Sequence, residues 1–262
     1  MGIDWGTVGI LFPLGVGVGL FASLLGLGGG VFMTPLLLLG GFVSTQPEAA
    51  GTSIAGVVFT GLSGAIAYYR KRAIDFRIGL LFMPTALAGA FLGRYIVHAS
   101  RPAWLSIAFG IFLLYPTVMM LTGKTPKDAK TRLKGWSTGW RFYALVALLG
   151  LIAGTATKLF GIGGGTVFVP SLVMFLGMDI LTAVATSLFV MVPTALVSAA
   201  TSYMDGTLFF ELAIPLILGI IIGAQIGPQI GARIPRKRLR QIFGLVLLYA
   251  AVNMVYKGIS TL

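Results

Sequence analysis

Two glycine-rich stretches with the same pattern decide how this chain folds. Residues 26–35 read GLGGGVFMTP, and residues 161–170 read GIGGGTVFVP. In each stretch a proline stands five positions after the last of three consecutive glycines, and the two copies begin 135 residues apart. Each copy interrupts a long apolar run. The repetition predicts an internal duplication, with a broken helix at the same place in each half.

The composition predicts a polytopic helical membrane protein. Of the 262 residues, 57% are hydrophobic and 10% are charged, and the mean hydropathy is +0.97. Soluble domains have about 25% charged residues, and a soluble chain of this length could not bury so much apolar surface. The apolar runs are continuous rather than alternating, which argues against a β-barrel. The chain has no cysteine, so disulfides and thiolate metal sites are excluded.

The apolar segments of the first half recur in the second half. The predicted segments are 7–25, 31–43, 52–69, 78–97 and 103–121, followed by 142–160, 166–178, 183–203, 212–231 and 241–257. An offset of 134–135 brings the glycines and several later residues into register. We therefore expect a first transmembrane repeat at 1–121, a basic linker at 122–141 and a second transmembrane repeat at 142–262.

The distribution of basic residues predicts that the two repeats have opposite orientations. The formal net charge is +12, and 15 of the 19 Lys and Arg residues lie in three polar segments, at 70–77, in the linker and at 233–240. Basic loops stay in the cytoplasm, so this charge indicates topology rather than nucleic-acid binding. The repeat equivalents of the first and third segments are acidic or nearly uncharged. Inverted repeats of five segments each, in the cell (inner) membrane with both termini outside, explain this asymmetry.

The segments after the glycines are too short to cross a membrane. About 20 helical residues span ~30 Å of hydrocarbon, whereas 31–43 and 166–178 have thirteen residues each. We expect a re-entrant hairpin in each half, with the glycine tip inside the membrane; a surface turn would give the same topology and stays open. Pro35 and Pro170 suit the first turn of the following helix, where Thr34 could cap the first of the two helices.

The glycine breaks are candidates for an anion site. Unwound backbone at membrane depth is tolerated only where protein buries it or where it lines a wet cavity. Glycine leaves the backbone N–H groups accessible, and the helix after each break points its positive end at the break. The alternative is that the glycines only allow helices to pack closely. The predicted substrate-binding glycines are Gly28, Gly29, Gly30, Gly163, Gly164 and Gly165.

Several side chains near the breaks join this candidate site. Lys158 precedes the second break by three residues, and its repeat equivalent is Ser23. An intramembrane lysine indicates function, either by pairing with an anion or by titrating during proton coupling; the alternative is a lysine that snorkels to the interface. Hydroxyl groups that open the next segments could donate to substrate oxygens or serve as helix caps and interhelical bonds. These hydroxyl residues are Thr52, Ser53, Thr186 and Ser187.

Several further residues are expected to have structural roles. Glycines at spacing four between 219 and 231 predict close helix packing. We expect Arg94 to be an entrance residue or an interfacial anchor. His98 is the only histidine and is expected to be solvated in an outer loop, so no metal site is predicted. The sequence also has no nucleotide motif and no paired carboxylates inside a span, and it predicts no cofactor.

The paired glycine-proline motifs, each followed by a Thr-Ser pair, resemble the sulfite exporter TauE/SafE family, also called toluene sulfonate uptake permeases. The resemblance covers essentially the whole chain. It implies secondary transport of small sulfur-containing anions such as sulfite, thiosulfate, sulfoacetate and other organosulfonates, with the glycine motifs lining the substrate path. We expect alternating access around a site near the midplane. A proton or another ion could couple to transport, although Glu48 is only a weak carboxylate candidate.

Three alternatives stay open from the sequence. A membrane assembly or maturation protein would carry the same duplication without transporting a solute. An anion channel would share the pore-lining residues but would not show saturable counterflow. A membrane enzyme is the least favoured class, because no intramembrane nucleophile and base are recognisable.

Overall fold

The chain is an α-helical bundle. The computed structural model describes residues 5–25, 27–122, 139–174, 176, 178–230 and 236–262. Most of the predicted linker, at 123–138, and the basic residue Arg233 lie outside the described residues. The described helices are α1 (Trp5–Leu25), α2 (Gly30–Leu39), α3 (Gln46–Arg70), α4 (Phe76–Ala99), α5 (Pro102–Thr122), α6 (Trp140–Phe160), α7 (Gly165–Met174), α8 (Ile180–Met204), α9 (Phe210–Ile230) and α10 (Arg236–Ser260).

These helices confirm the predicted all-α polytopic fold. Within the described residues, six helices are long and apolar enough to cross a membrane, namely α1, α3, α4, α6, α8 and α9. By contrast, α2 and α7 have ten residues each, which is about 15 Å of helix at 1.5 Å per residue. Each of the ten predicted segments corresponds to one described helix, and the two short helices are shorter than predicted.

The most extensive packing joins helices from different halves of the sequence. Helix α1 packs on α9, α4 on α6, α5 on α10, and α3 on α8. With the offset of 134–135, α1 corresponds to α6 and α9 to α4, so the first two pairs are repeat equivalents of each other. The halves are therefore interleaved in the folded chain. That the first repeat ends at residue 121 and the second begins at residue 142 stays a prediction.

Glycine faces hold the interleaved pairs together, as the spacing-four pattern predicted. Gly219 lies against the backbone of Phe12 and Gly223 against that of Val16. In the equivalent pair, Gly154 lies against the backbone of Ala86. Without a Cβ the two backbones of a pair can approach closely, which is how small residues promote helix association in membranes.

The order of contacts along the helices gives their relative directions. From Phe12 to Val16 along α1, the contacting residue on α9 rises from Gly219 to Gly223, so α1 and α9 run in parallel. On α5 and α10 the order is reversed, because Ala103 contacts Gly258, whereas Leu121 contacts Gly244. A helix and its own repeat equivalent, such as α5 and α10, thus run in opposite directions. These directions agree with the predicted inverted repeat. The inverted relation of the complete halves stays a prediction.

Candidate functional site

The two glycine breaks have the same backbone conformation. Gly28 and Gly29 have φ values of 78° and 81°, and the equivalent Gly163 and Gly164 have φ values of 76° and 71°. This left-handed region is costly for residues with a Cβ, whereas glycine enters it freely. The glycines are thus required by the shape of the break, which repeats in detail in the two halves.

Each break leads directly into a short helix. The N–H groups of Phe32 and Met33 donate to the carbonyl oxygen of Gly29, each at 3.0 Å. In the second half, Val167 and Phe168 donate to Gly164 at 2.9 and 2.8 Å. The earlier N–H groups of a helix have no partner within that helix. Each break therefore places the positive end of a helix beside unwound backbone.

The predicted positions of the prolines are wrong. Helix α2 begins at Gly30, immediately after the left-handed Gly29, and Pro35 is its sixth residue. Helix α7 begins at Gly165, so Pro170 also falls in the second turn. Thr34 consequently lies inside α2 and does not cap it. The helices start early because the glycines themselves make the turn.

The two glycine breaks meet halfway along the central helices α3 and α8. Gly28 lies against Met191, and Gly163 lies against Met191 and Val57. Met191 is the twelfth of 25 residues in α8, and Val57 is the twelfth of 25 in α3. The breaks also touch each other, since a Cβ on Gly30 would overlap the carbonyl oxygen of Gly161. The structure thus brings the two glycine motifs together in the centre of the bundle.

Hydroxyl groups from the first half bind the second break. Ser53 donates to the carbonyl oxygen of Gly161 at 3.2 Å, and Thr34 donates to that of Phe160 at 2.9 Å. The Thr34 and Ser53 hydroxyls are 2.8 Å apart. The repeat equivalent of Ser53 is Ser187, which donates to Val184 at 2.8 Å. Valine stands at the equivalent of Thr34, so the threonine hydroxyl of this cluster is not repeated in the second half.

The predicted threonines, Thr52 and Thr186, occupy equivalent positions in the two halves and bind the segments before two other helices. Thr52 Oγ1 accepts a hydrogen bond from the N–H of Phe209 at 3.2 Å, and Thr186 Oγ1 accepts one from Asp75 at 3.0 Å. Phe209 and Asp75 directly precede α9 and α4. These hydroxyls therefore fix the connections between helices. Their contact with a substrate stays a prediction.

Lys158 lies in a buried ion network. Its ammonium group is 3.3 Å from the Asp205 carboxylate and donates to Ser202 Oγ at 2.9 Å. The side chains of Lys158 and Asp205 are only 3% and 4% exposed. The other Asp205 oxygen accepts hydrogen bonds from Arg94 at 2.7 and 3.0 Å, and His98 Nε2 is 3.2 Å away. Arg94 is therefore an ion-pair partner, and the expectation that His98 is simply solvated is wrong.

The network surrounds one carboxylate with three basic groups. Burial alone would raise the pKa of Asp205, but hydrogen bonds from Arg94 and the charge of Lys158 outweigh it, so this pKa lies below its usual value. Asp205 is thus ionised at neutral pH. Among the described residues, no group of three or more Asp, Glu, His or Cys side chains could hold a metal ion.

In the first half, the equivalents of Lys158 and Ser202 are the uncharged residues Ser23 and Tyr68. Tyr68, the repeat equivalent of Ser202, donates from its hydroxyl group to the carbonyl oxygen of Ser23 at 3.3 Å. Gly227 lies against the Ser23 hydroxyl, as its equivalent Gly93 lies against the Lys158 side chain. Ser23 and Lys158 therefore occupy the same position in two copies of one arrangement.

Sequence reasoning missed two residues of this region. Asp205 is 47 positions from Lys158 and 111 from Arg94, so no local pattern could have paired them. Thr166, in the first turn of α7, is 1% exposed, and within the described residues its Oγ1 has no hydrogen-bond partner. Its place directly after the third glycine could have identified it.

Comparisons with known proteins agree with this architecture. The sequence profile of the family described as "Sulfite exporter TauE/SafE" matches residues 11–254. A Bacillus subtilis protein named "Probable membrane transporter protein YunE" is 28% identical over 95% of this chain and 98% of its own length. A "Probable membrane transporter protein" from Xylella fastidiosa strain Temecula1 is 27% identical over 94% of each chain. No solved structure matches. The chain belongs to the TauE/SafE family and is a multi-pass membrane transporter.

Proposed function

We propose that this member of the TauE/SafE family is a secondary transporter of small sulfur-containing anions, with a binding site where the two glycine breaks meet. The candidate substrates are sulfite, thiosulfate, sulfoacetate and other organosulfonates. The meeting of the breaks beside Val57 and Met191, at half the length of α3 and α8, is the observation that carries the proposal.

The chemistry of the breaks suits an oxyanion. A sulfonate or sulfite group has several acceptor oxygens and a negative charge, and the starts of α2 and α7 offer N–H donors and positive helix ends. The buried Thr166 hydroxyl adds a side-chain group without a partner among the described residues. In this conformation the Lys158 ammonium group pairs with the Asp205 carboxylate. Lys158 would bind a substrate anion only after its ammonium group separates from the Asp205 carboxylate.

The helix directions support the proposed orientation. Helices α3 and α9 run in parallel, since Thr52 contacts Phe209 and Ser63 contacts Gln225. The basic segment after α3, the linker after α5 and the segment after α9 then lie at one end of the bundle. The positive-inside rule places that end in the cytoplasm. Asp205 and the described C-terminal end of α10 lie at the opposite, outer end.

Interleaved packing limits how alternating access can work. Because α1 packs on α9 and α4 packs on α6, the two sequence halves cannot rock against each other as separate bodies. We propose instead that α2 and α7, with their glycine breaks, move against the long helices. Transporters of inverted-repeat type place their sites at such discontinuous helices.

Uptake into proteoliposomes tests the proposal. Purified protein should catalyse saturable uptake of ³⁵S-labelled sulfite or of a labelled organosulfonate, and unlabelled anion inside the vesicles should accelerate it by counterflow. Gly30→Val should reduce the rate at least about tenfold, because its Cβ would force the breaks apart. Gly17→Val is the matched control, since a Cβ at Gly17 meets no atom within 4 Å.

Each alternative has its own outcome in this assay. Non-saturable flux without counterflow would identify a channel. The absence of flux for every sulfur anion, from protein that is folded and correctly inserted, would overturn the transport proposal. Equal flux in the wild type and in Gly30→Val would overturn the location of the site.

A further inference from the structure

A cavity of about 330 Å³, lined by both polar and apolar residues, lies at the outer end of the bundle, apart from the glycine breaks. It forms where the loop after α2, the starts of α3 and α5, and the end of α10 meet. The lining side chains include two cations and no carboxylate. The lining residues are Leu38, Ser44, Thr45, Gln46, Arg101, Pro102, Ala103, Ser106, Lys257, Thr261 and Leu262.

Positive charge converges on this cavity. Arg101 directly precedes α5, and Lys257 donates to the carbonyl oxygen of Leu38, near the end of α2, at 2.9 Å. The positive ends of α3 and α5 and the negative ends of α2 and α10 border the cavity. The nearby carboxylate of Glu48 accepts hydrogen bonds from the N–H groups of Ser44 and Thr45 at 2.9 and 3.0 Å. This carboxylate is the cap of α3, and against it the two cationic side chains Arg101 and Lys257 leave a positive side-chain balance around the cavity.

One buried acceptor in the cavity lacks a donor. Gln46 is 1% exposed, and its Nε2 donates to the carbonyl oxygen of Leu159 at 3.0 Å. Within the described part of the chain, its Oε1 has no hydrogen-bond partner. A buried acceptor without a donor is costly. A ligand that fits this cavity would therefore present negative charge to the cations and an O–H or N–H group to Gln46.

The cavity adjoins the second glycine break along one face of α3. Gln46, Ala50 and Ser53 follow one another at helical spacing on that face. Gln46 contacts Leu159, whereas Ala50 and Ser53 contact Gly161. The cavity and the break are thus separated by about two helical turns of α3.

We propose that this outer cavity binds a small oxyanion that also carries one O–H or N–H donor, such as a hydroxyalkyl sulfonate or a hydrogen oxyanion. Arg101 and Lys257 bind the charged group, and Gln46 Oε1 accepts from the donor. The inference rests on the proposed transport of anions and assigns them an outer binding site in addition to the central one.

Calorimetric titration of the full chain, in a detergent without anionic lipid, tests the inference with two matched probes. 2-Hydroxyethanesulfonate has the additional donor, and ethanesulfonate lacks it. The hydroxylated probe should bind about fivefold more tightly, as one hydrogen bond permits. Gln46→Met should remove this preference while retaining binding of ethanesulfonate.

The charge requirement is tested separately. The double variant Arg101→Gln/Lys257→Gln should weaken the binding of 2-hydroxyethanesulfonate at least about tenfold. Arg77→Gln, which removes one exposed charge at the opposite end, should leave the affinity unchanged. Equal affinities of the two probes for the wild type, or no loss of affinity in the double variant, would overturn the inference.

Two further measurements distinguish a bound lipid from a bound solute, and the outer site from transport itself. If phosphatidylglycerol in mixed micelles abolishes the binding of 2-hydroxyethanesulfonate, a lipid headgroup occupies the cavity and the inference fails. Retained proteoliposome flux together with equal probe affinities overturns only the outer site. Normal probe preference without any flux overturns the proposed transport instead.

Discussion

The two glycine breaks share a backbone but differ in their surroundings. The φ values of equivalent glycines differ by no more than 10°, as 81° at Gly29 and 71° at Gly164 show. Beside the first break, Ser23 accepts one hydrogen bond from Tyr68. Beside the second, Lys158 occupies the equivalent position and joins Asp205 and Arg94 in an ion network that His98 also contacts.

The backbone of the breaks and the side chains around them therefore have different roles. The backbone of the breaks, which is the same in the two halves, presents N–H groups and helix ends in a nearly symmetric way. The side chains around the breaks have diverged, and the network of Lys158, Asp205 and Arg94 lies beside the second break. In the proposed orientation the charged network ties α4, α6 and α8 together at the outer end, whereas Tyr68 and Ser23 form an uncharged hydrogen bond at the inner end.

Removal of the network's carboxylate should have the largest effect. Asp205→Asn leaves the Lys158 ammonium group buried without an anion, and such a loss costs about 3 kcal/mol or more. A change at the corresponding contact of the first half, Tyr68→Phe, removes the hydrogen bond to Ser23 and should cost about 1 kcal/mol or less. Thermal unfolding of both variants in the same detergent measures the difference.

A second substitution identifies the cause. Adding Lys158→Met to Asp205→Asn should restore part of the lost stability, because the uncompensated charge is then gone. Equal destabilisation by Asp205→Asn and Tyr68→Phe would show that the two surroundings are energetically alike, contrary to the comparison.

Alanine at the equivalent glycines should have effects of similar size in the two halves. Gly29→Ala and Gly164→Ala each place a Cβ in left-handed backbone, which costs on the order of 1–2 kcal/mol. The added Cβ would lie 3.0 Å from Val18 at the first position and 2.7 Å from Thr157 Oγ1 at the second. Denaturation midpoints and uptake rates should fall together in both variants. A large effect at only one of the glycines would show that the backbones of the two breaks are not energetically equivalent.

Acid should weaken the Asp205 network beside the second break. The pKa of Asp205 is lower in the folded chain than its usual value of about 3.9. Its contribution to stability is therefore complete above that value and is lost as the pH falls through the lower, folded pKa. The melting temperature of the wild type should fall more steeply than that of Asp205→Asn below about pH 4. If the melting temperatures of the two proteins fall in parallel as the pH is lowered, Asp205 is not the cause of the loss of stability in acid.

The sequence predicted the fold well because its signals are long and local. Apolar runs identified the ten helices, and the repeated glycines located the breaks to within a residue. The position of Pro35 was misjudged because the left-handed glycines, rather than the proline, begin α2. The ion network could not be predicted, since Asp205 meets Lys158 and Arg94 only when α8, α6 and α4 pack together. The hydroxyl contacts of Thr34 and Ser53 with the second break likewise depend on packing between the halves.

Substrate protection of introduced cysteines tests the central claim most directly. The natural chain has no cysteine, so Val31→Cys and Thr166→Cys, at equivalent positions after the third glycine, report on the two breaks alone. Thr122→Cys, at an exposed site at the inner end of the bundle, is the control. A transported sulfur anion should slow methanethiosulfonate labelling at both breaks and leave the control unchanged. Labelling rates that are the same with and without the anion at both breaks would contradict a shared anion site.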